Sequence, residues 1–355
     1  MDGTQNSAPQ TVEVDVDSDS ALADDASTAS TSLAESIFDY RRENGRSYHA
    51  YKPGSYVFPC DEKESDRLDL QHHLFQLTLD GKLFLAPVGP DPHHILDIGT
   101  GTGIWAIDVA DEFPSCEVIG TDLAPTQPSF VPPNCKFIID DAEDTWLFGS
   151  TKFDLVHFRV MGGCFKDWRQ VFKHAFDACA PGGYIEVKDF ILPMKCIDHT
   201  YAGTALEEWD RNMITASENF GKEICQVDSY KGWLLEAGFV DIQQRDFMWP
   251  SNPWPKDRKL KEIGKWNEVN ITDGLEGFSL KLMTHGLGWS ETSVQVHIAQ
   301  VRSAIRDRGI HAYFSIPILW ANLPQAVRHS YHGPYTPPVL ELSVYNYDQM
   351  PNREV

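Results

Sequence analysis

An open α/β sheet of seven strands, with a helical lid before its first strand and helical insertions before its sixth, is the fold this sequence predicts. Three observations predict it. Residues 93–122, HHILDIGTGTGIWAIDVADEFPSCEVIGTD, run from an apolar strand through a glycine-rich turn and a helix-forming stretch into a second apolar strand. That is one β-loop-α-β unit. Strand-like segments at 135–139 and 153–158 follow, the second leading to an amphipathic helix over 167–178. Pro181-Gly182-Gly183 then turns the chain into a fifth strand ending at Val187.

The remaining elements follow in order. Residues 1–36 are rich in Ser, Thr, Ala and Asp, and such a segment buries too little apolar surface to offset its ordering entropy, so it is expected to be a disordered acidic tail. Residues 37–90 form the expected lid region. Its first part, 38–60, is aromatic and broken by Gly and Pro, and reads as extended or irregular. A helix follows over 66–79 with Ser65 as N-cap. Leu70, Leu74 and Leu77 make one apolar stripe, Leu68, Phe75 and Leu79 another, so most of the helix is expected to be covered. Tyr48, Tyr51 and Tyr56 either line the lid or pack it down, with packing favoured. Residues 91–322 make the main domain, with cap helices inserted at 192–238 and 255–308. Within these, helices are expected at 205–220, 228–237, 256–270 and 292–308, and the sixth and last strands at 239–247 and 310–320. The chain departs from the sheet after Leu192. Trp209, Met213 and Trp233 face an acceptor pocket or belong to the core. Residues 323–355 read as a proline-rich, loosely ordered tail.

Composition narrows the class. Of 355 residues, 42% are hydrophobic, which is ordinary for a globular chain, and the formal net charge is −22. That balance argues against nucleic acid or an anionic membrane as general partner. No basic-then-apolar leader and no apolar run of membrane-spanning length is visible. Seven scattered cysteines without C-x-x-C spacing suggest reduced thiols and no metal site. The expected location is cytoplasmic, with the nucleus as alternative.

The glycine turn decides the ligand. Gly99, Gly101 and Gly103 allow close backbone approach. A dinucleotide fingerprint is G-x-G-x-x-G, but here the third glycine comes one residue early and Ile104 stands where the pattern wants glycine. Asp97, two residues before Gly99, would repel a pyrophosphate and suits a ligand carrying an ammonium and a sulfonium. Asp122, at the end of the second strand, can accept from both ribose hydroxyls. Asp-x-Gly-x-Gly-x-Gly with this spacing resembles the class I S-adenosylmethionine (SAM) methyltransferases, whose fold is Rossmann-like. A closer resemblance extends over 43–321. ENGRSYHAYKPGSYVFPCDEKESDRLDL, LDIGTGTGIWAIDVADEFP, GTDLAPTQP, FDLVHFRVMGGCFKDW, GTALEEW and LLEAGF look like the LaeA-like methyltransferases of filamentous fungi.

The resemblance implies SAM as cofactor and a part in secondary metabolism. Its members include enzymes that methylate small products and a nuclear regulator that works with velvet proteins. A small-molecule methyl acceptor is therefore the expected partner, with a regulatory protein partner as the alternative. The expected cofactor residues are Asp97, Gly99, Thr100, Gly101, Gly103, Asp122, Leu123, Asp141 and Ala142. The glycines cradle the methionine portion, Asp97 orders the turn or reaches the ammonium, and Asp122 holds the ribose. Asp141 and the Ala142 N–H take the adenine. If the acceptor is a hydroxyl, a base must remove its proton. His157 and then Glu186 are the candidates, because the fourth and fifth strands end towards the cofactor. A lone histidine there is more often structural.

Overall fold

A computed structural model describes residues 40–49, 51–52 and 57–325. The expected N-terminal tail, Tyr56 and the C-terminal tail beyond Gln325 lie outside the described residues. The fold below belongs to the unit that ends at Pro324.

Where the sequence reads as irregular, β1 (Arg41–Glu43) and β2 (Arg46–Tyr48) form an antiparallel hairpin. Asn44 and Gly45 take φ of 50° and 77°, the pair of left-handed residues that a two-residue hairpin turn requires. The next helix, α1 (Glu62–Thr78), starts a turn earlier than the sequence suggests. Its N-cap is Asp61, not Ser65: the Asp61 side chain accepts from Glu64 N at 3.1 Å. The Arg46 fork holds that carboxylate in place through Nε at 2.6 Å and Nη2 at 2.8 Å.

The sheet strands are β3 (His94–Ile98), β4 (Glu117–Asp122), β5 (Cys135–Ile139), β6 (Phe153–Arg159), β7 (Cys179–Lys188), β8 (Ile191–Cys196), β9 (Val240–Pro250) and β10 (Ala312–Asn322). The lateral order is β5-β4-β3-β6-β7-β10, with β9 outside β10. The first five are mutually parallel, and β10 runs antiparallel to its neighbours. β8 is a strand where the sequence suggests departure from the sheet. It continues β7 along the same edge of β10, since Ile318 pairs Lys188 and Ser315 pairs Ile191. The eight strands therefore occupy the seven expected positions.

One rung of this sheet is polar. Gly120 pairs Asp97, Asp97 pairs His157, His157 pairs Glu186 and Glu186 pairs Trp320. Residues directly opposite across a ladder share a face, so these side chains stand together. They are covered by Trp105 of α2 (Ile104–Glu112) and by the 83–86 segment.

Helices α3 (Trp168–Ala178) and α5 (Val227–Ala237) pack together in one core that includes Phe158, Trp168, Phe172 and Tyr230. Helices α4 (Ala205–Phe220), α6 (Arg258–Gly286) and α7 (Glu291–Arg306) form the cap core with α1 and β9. α6 is a single 29-residue helix, nearly twice the expected 256–270. Its interior glycines permit close packing: a Cβ on Gly277 would lie 3.1 Å from Pro59, and one on Gly274 2.9 Å from the Arg67 stem. Among the described residues no helix is long and apolar enough to cross a membrane.

Candidate active site

A cavity of about 1100 Å³ lies beyond the C-terminal ends of β3, β4, β5 and β6, the crevice in which open α/β sheets bind ligands. Its floor is Gly99 to Thr102. Gly99, Gly101 and Gly103 take φ of 67°, 60° and 80°, so the loop is built from left-handed backbone that side chains disfavour. Asp122 ties the loop to β4: Oδ2 accepts from Gly101 N at 2.8 Å and Oδ1 from Ala124 N at 2.9 Å. Burial pushes the Asp122 carboxyl up to about 6. The Gly101 carbonyl accepts from Thr126 Oγ1 and Gln127 Nε2 at 2.8 and 2.7 Å.

α1 covers this loop. Thr102 Oγ1 donates to Asp69 Oδ1 at 2.6 Å, and Asp108 of α2 receives Gln76 Nε2 at 3.0 Å with His72 Nε2 at 2.9 Å. Arg159 Nη1 reaches His72 Nδ1 at 2.8 Å, its guanidinium 5.5 Å from the Phe75 ring centre. The polar face of α1 is therefore turned to the glycine loop at Thr102 and to the α2 helix that follows it.

At the other end Leu123, Asp140, Asp141 and Ala142 line the wall. Asp141 is buried, accepting from Glu143 N at 2.9 Å and from Lys52 Nζ at 3.0 Å. Lys52 also pairs with Asp144, so the segment after the hairpin is strapped across the 140–144 loop. Tyr48 packs rather than lines: it is buried, with the Lys281 ammonium 4.2 Å from its ring centre. Neither Tyr48 nor Tyr51 lines the cavity, whereas His49 does.

The expected residues thus divide. Gly99, Thr100, Gly101, Asp122, Leu123, Asp141 and Ala142 line one cavity. Gly103 does not; it caps α2, and its α-carbon faces Phe137. Asp97 stands behind the loop, Oδ2 accepting from Thr100 Oγ1 at 2.6 Å and Oδ1 bonded to His157 Nδ1 at 2.7 Å. Of its two expected roles, the geometry supports ordering the turn. Burial raises its carboxyl to about 6.

The two base candidates do not reach the cavity. His157 is fully buried, stacked on Trp105 with ring centres 3.6 Å apart, and burial drives its imidazole well below the usual range. Glu186 is also fully buried; Oε2 accepts from Leu85 N and Ala86 N at 2.7 and 2.6 Å, and Lys188 Nζ is 3.1 Å from Oε1. The reason is depth. Arg159 lies past the end of β3 and lines the cavity, while His157 is two residues, about 7 Å, further down the strand.

A second cavity, about 810 Å³, adjoins the first. Glu64, Leu68, Gln71 and Val160 line both. The three α1 residues are spaced i, i+4, i+7, one stripe of the helix. Val160 holds φ of 57°, a strained value for a β-branched residue, with its N–H donating to Lys188 O at 2.7 Å. Trp209 and Met213 belong to the cap core and also line the second cavity, whereas Trp233 packs in the other core beneath the Arg169 guanidinium. Glu64 escapes the sequence reading because the helix start placed at Asp66 leaves it outside α1. The i, i+4, i+7 stripe was the signal that would have found it.

The first cavity fits SAM by its donor set. Glu64, Asp122, Asp140, Asp141 and Glu143 line it. Arg67, Lys52 and Lys222 pair with Glu64, Asp141 and Glu143, which leaves Asp122 and Asp140 as carboxylates without an ion pair among the described residues, with Arg159 the cationic lining residue. That suits a ligand with a sulfonium and an ammonium and repels a pyrophosphate.

Comparison with known proteins agrees. Residues 70–244 match the family model described as a methyltransferase domain. Methyltransferase pytC of Aspergillus terreus is 38% identical over 318 residues, covering 89% of this chain and 97% of its own. Secondary metabolism regulator LAE1 of Cochliobolus heterostrophus is 37% identical, covering 80% and 94%. Protein-methionine methyltransferase laeA of Emericella nidulans is 33% identical, covering 80% and 77%. Sheet order, glycine loop and relatives converge: the chain belongs to the LaeA-like family of SAM-dependent methyltransferases of fungal secondary metabolism.

Proposed function

We propose that this methyltransferase acts on a small-molecule intermediate of fungal secondary metabolism. The carrying observation is the second cavity. It is lined mostly by apolar and aromatic side chains with a few polar groups, as small-molecule pockets are, and it meets the cofactor cavity along one helix stripe. In this reading the backbone of Gly99 to Gly101 receives the methionine portion, Asp122 the ribose, and Asp141 with the Ala142 N–H the adenine. SAM supplies an electrophilic methyl on a good leaving group. The protein's task is to align an acceptor with it and exclude water. Asp97 and His157 hold the glycine loop from below, and Glu186 pins the 83–86 segment.

Incubation with methyl-labelled SAM and a fungal metabolite extract tests this. Label in one organic-soluble compound supports it. A second reading is favoured by the relatives named as regulators: a SAM-binding regulator acting through velvet-like protein partners. Label on protein, or SAM binding without transfer to any metabolite, would replace the first reading with the second.

A further inference from the structure

Six aromatic side chains, Phe58, Phe190, Trp209, Trp249, Phe278 and Phe314, line the second cavity among aliphatic ones. Its polar side is one buried chain of side chains. Arg67 donates through Nε at 3.0 Å and Nη2 at 2.7 Å, both to Glu64 Oε1, and through Nη1 to Asn270 Oδ1 at 2.8 Å. Its guanidinium lies 4.8 Å from the Phe278 ring centre. Asn270 Nδ2 donates to Asn267 Oδ1 at 3.2 Å, and Asn267 Nδ2 to Pro250 O at 3.0 Å. Each member is thus bonded to the next. Glu64 Oε2 stands apart: it has no hydrogen-bond partner among the described residues, on a side chain only 7% exposed that lines both cavities.

We propose that this pocket takes a planar phenolic or enolic acceptor and that Glu64 Oε2 receives its hydroxyl proton. The inference rests on reading the second cavity as the acceptor site. Ring walls favour a flat ligand through stacking and edge contacts. A carboxylate oxygen facing that ligand asks for a donor: a hydroxyl provides one, while an acceptor's own carboxylate is repelled. In the transfer, the acceptor O–H bond breaks and its proton passes to Oε2. The oxygen electron pair forms the new O–CH₃ bond. The S–CH₃ bond breaks with its electrons left on sulfur as a neutral thioether. The proton then leaves Glu64 for water.

The test is calorimetric, with S-adenosylhomocysteine bound and no turnover. Wild-type protein should bind 4-nitrophenol at least about tenfold tighter than 4-nitroanisole, which lacks the donor. Glu64→Met/Arg67→Met removes the ion pair as a unit, which such pairs tolerate better than loss of one partner. It should bind the two ligands equally. Glu64→Gln should retain the coloured phenolate at high pH, where wild type releases it. Equal binding of phenol and ether by wild type, undiminished preference in the double variant, or tighter binding of 4-nitrobenzoate would overturn the proposal. So would failure of both neutral probes to bind while S-adenosylhomocysteine binds. If S-adenosylhomocysteine itself fails to bind, the proposed function falls first.

Discussion

Replacing Gly103 with Ala separates the loop's architecture from its ligand contacts. Gly103 sits at φ 80° as the N-cap of α2, and a Cβ there would lie 2.4 Å from Phe137 Cζ. The same ring also fills the space over Gly120, where a Cβ would be 2.7 Å from Cδ1. Left-handed backbone costs an alanine about 1–2 kcal/mol. Overpacking the ring adds about 1–3 kcal/mol. Together the loss is about 2–5 kcal/mol, a fall in melting temperature of roughly 3–8 °C for a domain of this size. Differential scanning calorimetry reads it directly. Gly103→Ala/Phe137→Leu should recover the packing part and leave the backbone part. A Gly103→Ala protein melting within about 2 °C of wild type, or losing S-adenosylhomocysteine affinity without losing stability, would refute the reasoning.

The other predictions use different readouts. Asp122→Ala removes an acceptor of two backbone N–H groups at the cavity wall. S-adenosylhomocysteine affinity should drop about a hundredfold by calorimetry, roughly 3 kcal/mol, and unchanged affinity in folded protein would sink the pocket assignment. His157→Ala should lower stability by about 2–4 kcal/mol through the void beside Trp105; a changed pH profile of methyl transfer, rather than only a lower melting point, would restore His157 as a base. Asp210 tests linkage. It accepts from Met194 N at 2.6 Å and Tyr201 Oη at 2.5 Å, and burial raises its carboxyl to about 7. Its unfolded value is 3.8, so between these limits the folded state binds the extra proton and wild-type stability falls as pH rises. Asp210→Asn lacks that term. Its stability relative to wild type should climb by about 1.4 kcal/mol per pH unit from pH 5 to 7, and a pH-independent difference in chemical denaturation would disprove the assignment.

How much of this was legible varies with the range of the interactions that decide each element. β5 and α4 have their expected bounds because local signals fix them: an apolar run for Cys135–Ile139, and Thr204 with Gly221 bracketing Ala205–Phe220. The glycine loop and Asp122 are equally local. What escaped depends on distant partners. Asp61 outcompetes Ser65 as cap because Arg46 holds it. α6 runs through Gly274 and Gly277 because α1 and Pro59 need their missing side chains. β8 exists because the exposed edge of β10 continues past Lys188. Asn44-Gly45 did announce a hairpin that the reading passed over. For the candidate bases, the sequence placed His157 and Glu186 on the right strands but left unstated how far each strand projects beyond its neighbour, and that one rung decides between chemistry and scaffolding.

The stripe Glu64, Leu68 and Gln71 has a consequence for how this family can vary. A helix turns by about 100° for each residue. Inserting or deleting one residue between the Asp61 cap and Gln71 would rotate the downstream part of the partition away from both chambers at once. Point substitutions along it can retune either chamber, but its length cannot drift, and the reading frame of seventeen residues binds the choice of acceptor to the grip on the methyl donor.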